Sequence, residues 1–180
     1  AGDVVVMVAG TNKKASVVTV DFTTTATDVF TDVDAATQGG SDPNPNVYLS
    51  YLTITTPGTY DFTGTASIPD NITANLGIYQ MTATSGAIAF LDTAASEWSN
   101  IAAAGGHTAT DALSWAGSGT YGEIEILGAA SSLRGNITNA AITSDYENNA
   151  TNPKRRFGST TLAAGATSFD DVWDIVNASD

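Results

Sequence analysis

The sequence predicts an all-β fold: an antiparallel β-sandwich, jelly-roll-like, with a short C-terminal helix. Three observations predict it. Apolar and polar residues alternate with a period of two around residues 18–22, 60–68 and 123–127, the pattern of half-buried strands. Clusters of Pro, Gly, Asn and Asp separate such segments at the spacing of sandwiches and barrels. Thr, favoured on pleated and half-exposed faces, occurs 27 times in 180 residues; with Ala (28) and Gly (17) it fills 40% of the chain.

The elements follow in order. Val4, Val5, Val6, Met7 and Val8 form a short apolar run that reads as a strand. Val18, Val20 and Phe22 alternate with Thr19 and Asp21 in a second. Residues 23–37 are rich in Thr and Asp and fit either strand or loop. Two prolines and two glycines make residues 39–46 a loop, since Pro43 and Pro45 cannot sit inside a ladder. Tyr48, Leu49, Tyr51, Leu52 and Ile54 mark a strand over residues 47–55. Pro57 and Gly58 then turn the chain, Pro by presetting φ and Gly by tolerating positive φ. Tyr60, Phe62, Gly64, Ala66 and Ile68 line one face of the next strand, and Leu76 and Ile78 share a face in the one after. This stretch reads as a β-meander, with Tyr60, Phe62, Ile68, Leu76, Ile78, Ile124 and Ile126 as core.

The middle is less patterned. Residues 87–91 suit a strand, and 93–104 either a short helix or an irregular loop around Trp98 and Ile101. Leu113 and Trp115 lead into a Gly-rich turn and a strand over residues 121–127. Residues 134–159 are rich in Asn, Thr and Gly. At the end, Ser168 followed by Phe169, Asp170 and Asp171 suits a capped helix start, with acids on the favourable end of the dipole and Val172, Trp173 and Val176 as packing face. The whole reads as one domain, 1–180. Residues 1–8 are an N-terminal arm or donated strand, and 128–180 a C-terminal extension.

Composition excludes much chemistry. Cysteine is absent and His107 is the one histidine, so a thiolate nucleophile, a zinc-thiolate site and a multi-histidine metal site within one chain are all ruled out. Six basic against nineteen acidic residues give a formal net charge of −13, a poor match to nucleic acid. No apolar run approaches the length of a membrane-spanning helix. Apolar residues at 42%, including three Trp, six Tyr and six Phe, suffice for a core. Charged residues at 14% leave a surface of Thr, Ser, Asn and Ala, suited to extracellular or particle-bound β proteins. No basic segment followed by an apolar one opens the chain, so no signal peptide is expected in it; Ala1 fits removal of an initiator Met or cleavage of a leader.

Each chemical motif has a plainer explanation. Residues 117–122 match the dinucleotide-binding G-x-G-x-x-G pattern, which must open a helix; here it runs into Glu123, Ile124, Glu125 and Ile126, a strand. Glu123 and Glu125 have the spacing of paired glycosidase carboxylates, but alternation with isoleucine gives the same spacing on a solvent face. His107 follows two glycines in an expected loop, with no nucleophile elbow in the chain. Asp32 and Asp34, with Asp42, Asn44 and Asn46, supply oxygen ligands of the kind calcium takes, but without the Gly and closing Glu of a helix-loop-helix site. Glycosylation sequons at Asn71, Asn136, Asn149 and Asn177 are about as frequent as chance gives in so Thr-rich a chain. Lys154, Arg155 and Arg156 hold half of all basic residues. They read as a solvated loop, or as a docking point on an acidic partner.

Residues 55–62 (Thr-Thr-Pro-Gly-Thr-Tyr-Asp-Phe), followed by Leu76-Gly77-Ile78-Tyr79, resemble the middle of complement-type and tumour-necrosis-factor-like jelly rolls. Residues 112–115 before 119–127 match the paired strands near the end of such a roll, so the resemblance covers 47–127. It implies a homotrimer and, by analogy with bacteriophage fibre and capsid decoration (cement) proteins, a non-enzymatic structural protein on a virion surface. That protein has no cofactor and contacts a major capsid protein or other assembly subunit; in this chain the apolar run at residues 4–8 and the basic run at 154–156 are the expected contacts. Two alternatives stand beside it. One is a secreted fibre or pilus subunit assembled by donation of the first strand; the other is an extracellular carbohydrate-binding sandwich stacking sugars on Trp98, Trp115 or Tyr79.

Overall fold

Five consecutive apolar residues cannot leave a face to water in an extended chain, because successive side chains point to opposite sides. Such a run belongs in the middle of a sheet covered on both faces, and that is where it lies. The structure, a computed structural model, describes residues 2–11, 19–37, 46–67, 74–83, 86–88, 107–114, 123–130, 135–138, 140–141, 143–148, 154–163 and 165–177. Among them every regular element is a strand and every strand pair is antiparallel, so the fold is all-β.

Strand β1 (Val4–Thr11) has all eight residues buried. It pairs on one side with β4 (Asn46–Thr53) and on the other with β6 (Ala74–Met81). With β3 (Thr31–Thr37) beyond β4, the sheet order is β3-β4-β1-β6. The ladder continues past the end of β1, where Gly2 N donates to Ile54 O and Ile54 N to Asp3 O, both at 2.8 Å. On one face, Val5, Met7 and Ala9 pack with Phe22, Tyr48, Leu52 and Ile54. The cover there is a separate pair of strands, β2 (Val20–Thr24) with β5 (Phe62–Ala66). Phe30 closes this core, 6.1 Å from Phe22 and edge-on to Phe62 at 6.3 Å, a favoured aromatic arrangement. On the other face, Val4, Val6 and Val8 pack with Leu49, Tyr51, Tyr79, Met81 and Ile88.

Six further strands follow: β7 (His107–Ser114), β8 (Glu123–Ala130), β9 (Gly135–Thr138), β10 (Thr143–Asn148), β11 (Lys154–Thr161) and β12 (Ser168–Asn177). They form the sheets β10-β11-β8 and β7-β12-β9. Among the described residues, β1–β6 pair only with one another, and so do β7–β12. The two sets meet where Phe157 of β11, 2% exposed, lies over Gly77 of β6. A Cβ on Gly77 would stand 3.2 Å from that ring, closer than most real contacts, so the glycine makes room for the aromatic. Gly58 works the same way. It does not take the positive φ expected of it. Instead a Cβ there would come within 2.7 Å of the Tyr60 hydroxyl, which donates to Thr56 O at 2.5 Å across the turn.

Several expectations are corrected. Residues 168–177 are strand β12, not a helix: Phe169, Val172, Trp173 and Val176 fit a helical face, but Phe169, Trp173 and Ile175 equally fit strand alternation. β-Branched residues favour the second choice, and β7 and β9 supply partners on both sides. Residues 48–81 are three strands but not a meander, since β4, β5 and β6 pair with β1 and β3, with β2, and with β1 respectively. Periodicity predicts a strand and says nothing about its neighbour. Leu76 and Ile78 are 43% and 48% exposed rather than core. Tyr60 and Phe62 are half-buried at the core margin. Residues 87 and 88 are not in a strand, whereas the extension after residue 128 carries β9 to β12. Ile68, Trp98, Trp115 and residues 93–104 lie outside the described residues.

Core depth sets the expected cost of truncation. Met7→Ala or Leu52→Ala, at positions 0% and 1% exposed, lowers unfolding stability by roughly 2–5 kcal/mol. Val29→Ala, at a position 84% exposed, costs less than about 1 kcal/mol, as surface changes do. Urea unfolding of the three variants checks this ordering, and equal losses at all three contradict it.

Candidate functional site

A sheet ends in two edges, each a row of backbone groups open to pairing, and natural proteins blunt such edges with charge, bulges or cover. The two edges of the β3-β4-β1-β6 sheet are built in opposite ways. At one, β3 carries Asp32 and Asp34, and its register against β4 shifts between them in a bulge. At the other, the eight residues of β6 (Ala-Asn-Leu-Gly-Ile-Tyr-Gln-Met) include no charge and no proline. Among the described residues, no strand pairs with its outer side.

The exposed side chains on β6 share one face. Met7 of β1 stands opposite Ile78 and Ala9 opposite Leu76, so both continue the row that forms the Met7–Phe22 core. They run past the cover of β2 and β5. The Leu76 side chain comes within 3.4 Å of where a Cβ on Gly64 of β5 would lie, beside the Phe22 ring, and beyond it the row opens to solvent. On the opposite face of β6, Tyr79 and Met81 pack against Val4, Val6 and Val8. One end of the strand is held by Gln80, whose Nε2 donates to Asp3 Oδ2 at 2.8 Å. The result is a fixed, uncharged strand edge with a half-open apolar row beside it.

The residues singled out in the sequence lie elsewhere. Val4, Val5, Val6, Met7 and Val8, expected as an arm or donated strand, form the buried centre of the sheet within their own chain. Paired on both sides, they are not available to a neighbour while that pairing holds. Lys154, Arg155 and Arg156 are not a loop but the start of β11, the middle strand between β10 and β8. Arg156 is half-buried, at the register position opposite Glu147.

Of the calcium candidates, Asp32 has a structural partner. Its Oδ1 accepts a 2.7 Å hydrogen bond from Ser50 Oγ, a hydroxyl on β4 that is 2% exposed. Asp34 follows the bulge on β3, and Asn46 opens β4 opposite Thr11 and Thr37. Asp42 and Asn44 lie outside the described residues. Among the described residues, no three His, Asp or Glu side chains gather as a metal would need.

His107 begins strand β7 opposite Ile175 rather than sitting in a loop. Glu123 and Glu125 are on β8, as expected, opposite Thr161 and Ser159. Tyr79, the described member of the proposed sugar platforms, packs against the valine cluster and is not an open ring. Burial also pushes the Tyr48 phenol above its ordinary 10.0, so it stays neutral beside Met7 and Leu52. Among described residues, no helix is long and apolar enough to cross a membrane.

The sequence did not single out the β6 edge. Leu76 and Ile78 read as core because half-buried and core strands share a period of two, and edge position is a property of topology. The uncharged run from Ala74 to Met81 was the available signal. The chain thus falls in the class of all-β proteins built from antiparallel sheets. No protein-family model, no curated protein and no solved structure matches it.

Asp32 is therefore expected to matter for stability. Asp32→Ala strands the buried Ser50 hydroxyl and costs roughly 1–3 kcal/mol. The double variant Asp32→Ala with Ser50→Ala recovers part of the loss. Thermal unfolding in calcium and in chelator checks the assignment, and a loss seen only with calcium present contradicts it.

Proposed function

We propose that this chain is a non-enzymatic structural subunit that decorates or stabilises a larger assembly, a viral (phage) capsid in the form that the jelly-roll resemblance implies. The observation that carries the reading is the β6 edge, an uncharged strand open on its outer side among the described residues, with Leu76 and Ile78 43% and 48% exposed beside it. An isolated soluble protein gains nothing from such an edge, which invites pairing with other chains. An assembly subunit uses it. The composition agrees: 14% charged residues leave broad faces that dehydrate at low cost.

The reading shifts the contact region from the residue 4–8 run and the 154–156 basic run to β6. Residues 4–8 are a foundation on which a contact surface is built. The fibre alternative assembled by donating this strand is less well supported, because the strand is already paired on both sides in its own chain.

The chain is expected to co-sediment with capsids of the virus whose genome encodes it and to raise their resistance to heat. Ile78→Lys, at an exposed position, keeps the β-type circular dichroism and, by removing the subunit–subunit contact at β6 on which attachment depends, weakens attachment at least tenfold. Wild-type protein that stays in the supernatant with its own particles overturns the proposal.

A further inference from the structure

We infer that the occupant of the β6 edge is the β6 edge of a second copy, paired antiparallel about a two-fold axis through Gly77. The inference rests on the reading of the chain as an assembly subunit and names the partner of that surface.

Charge is the first ground. Two copies at net charge −13 repel wherever their acids meet, and nineteen Asp and Glu leave few neutral approaches. The β3 edge, with Asp32 and Asp34, is closed to a second copy on this ground, whereas β6 brings no charge to the junction.

Pattern is the second. A strand that covers β6 must be uncharged and must present apolar residues two apart on the face of Leu76 and Ile78. Among the residues whose exposure the structure describes, Leu76 and Ile78 of β6 are two large exposed hydrophobic residues at that spacing, on a strand with no charged residue. Its sequence is close to symmetric about Gly77. A two-fold axis there sets Leu76 of each copy opposite Ile78 of the other, and Asn75 opposite Tyr79. A shift of one residue would bring the exposed row onto the wrong face, so register is strongly selected. The pairing is isologous, each copy giving and receiving the same contacts. It joins two four-stranded sheets into one of eight, in the order β3-β4-β1-β6-β6-β1-β4-β3, and covers the open margin of both cores. It also makes the solution species a dimer, in place of the homotrimer that the resemblance implies.

The absence of cysteine makes a direct test clean. Leu76→Cys and Ile78→Cys chains are prepared separately, both at exposed positions, and oxidised mildly alone and as an equal mixture. Directly opposed cross-strand residues have Cα atoms about 4.5–5.5 Å apart, within disulfide range. Like positions, two residues out of step, stand about 8 Å apart, beyond it. The mixture is expected to give at least fivefold more cross-linked dimer than either chain alone. Sedimentation velocity of wild-type protein at micromolar concentration is expected to show a dimer, and Ile78→Lys a folded monomer. Cross-linking in the mixture no greater than in the separate chains, or a wild-type monomer or trimer, overturns the inference. Capsid attachment by a protein that shows no such cross-link sinks the pairing and leaves the assembly role intact. The cross-link without any capsid attachment upholds the pairing and removes the particle.

Discussion

The structure of the first half of the chain depends on one insertion: β1 between β4 and β6. Among the described residues those two strands make no ladder with each other, and β1 alone joins them into one sheet. Its backbone pairs along both sides for all eight residues, and its side chains are buried on both faces. Val5, Met7 and Ala9 give the β2–β5 layer something to rest on, while Val4, Val6 and Val8 anchor Tyr79 and Met81. Without β1, β6 has no fixed position. Gly77 would then no longer be set under Phe157, and the Leu76–Ile78 row would not continue a core.

A surface edge that rigid has a physical consequence. Pairing with another chain costs conformational entropy for every residue that must be ordered. On β6 most of that cost is already met by folding, because the inner side of the strand is bonded to β1 and one face is packed against valine. Among the described residues no strand pairs with its outer side, and exposed Leu76 and Ile78 stand beside it. Ordering before contact lowers the entropy cost that pairing with any partner must offset. The β3 edge of the same sheet, with its bulge and two Asp residues, carries the features that commonly blunt an exposed edge.

Much of the strand content was legible in the sequence, and the reason is local. The alternation holding Val20 and Phe22, that holding Phe62 to Ala66, and the apolar run at 4–8 fall in strands β2, β5 and β1. Partner choice was not legible, because pairing joins residues about 40–75 positions apart, as with Val5 to Leu52 and Gln80. The residue 4–8 run shows the difference. An unbroken apolar run is the sign of a strand buried on both faces, yet by itself it fits a donated strand as well. Only the two ladders separate the cases. Asp32 stands out in the sequence only as a weak calcium candidate, because carboxylates in series suggest a cation, while its partner Ser50 is brought to it by β-pairing. The C-terminal segment satisfied two periodicities at once, and only its neighbours decided between them.

If β1 is the strand that holds the sheet, native-state hydrogen exchange reads it directly. The amides of Val5 to Ala9 are expected to exchange only through global unfolding, with protection equal to the full unfolding free energy measured in denaturant. The amides of the exposed residues Thr63 and Thr65 of β5 should open at much lower cost. Residues 5–9 exchanging as fast as those of β5, well below the global limit, would contradict the account.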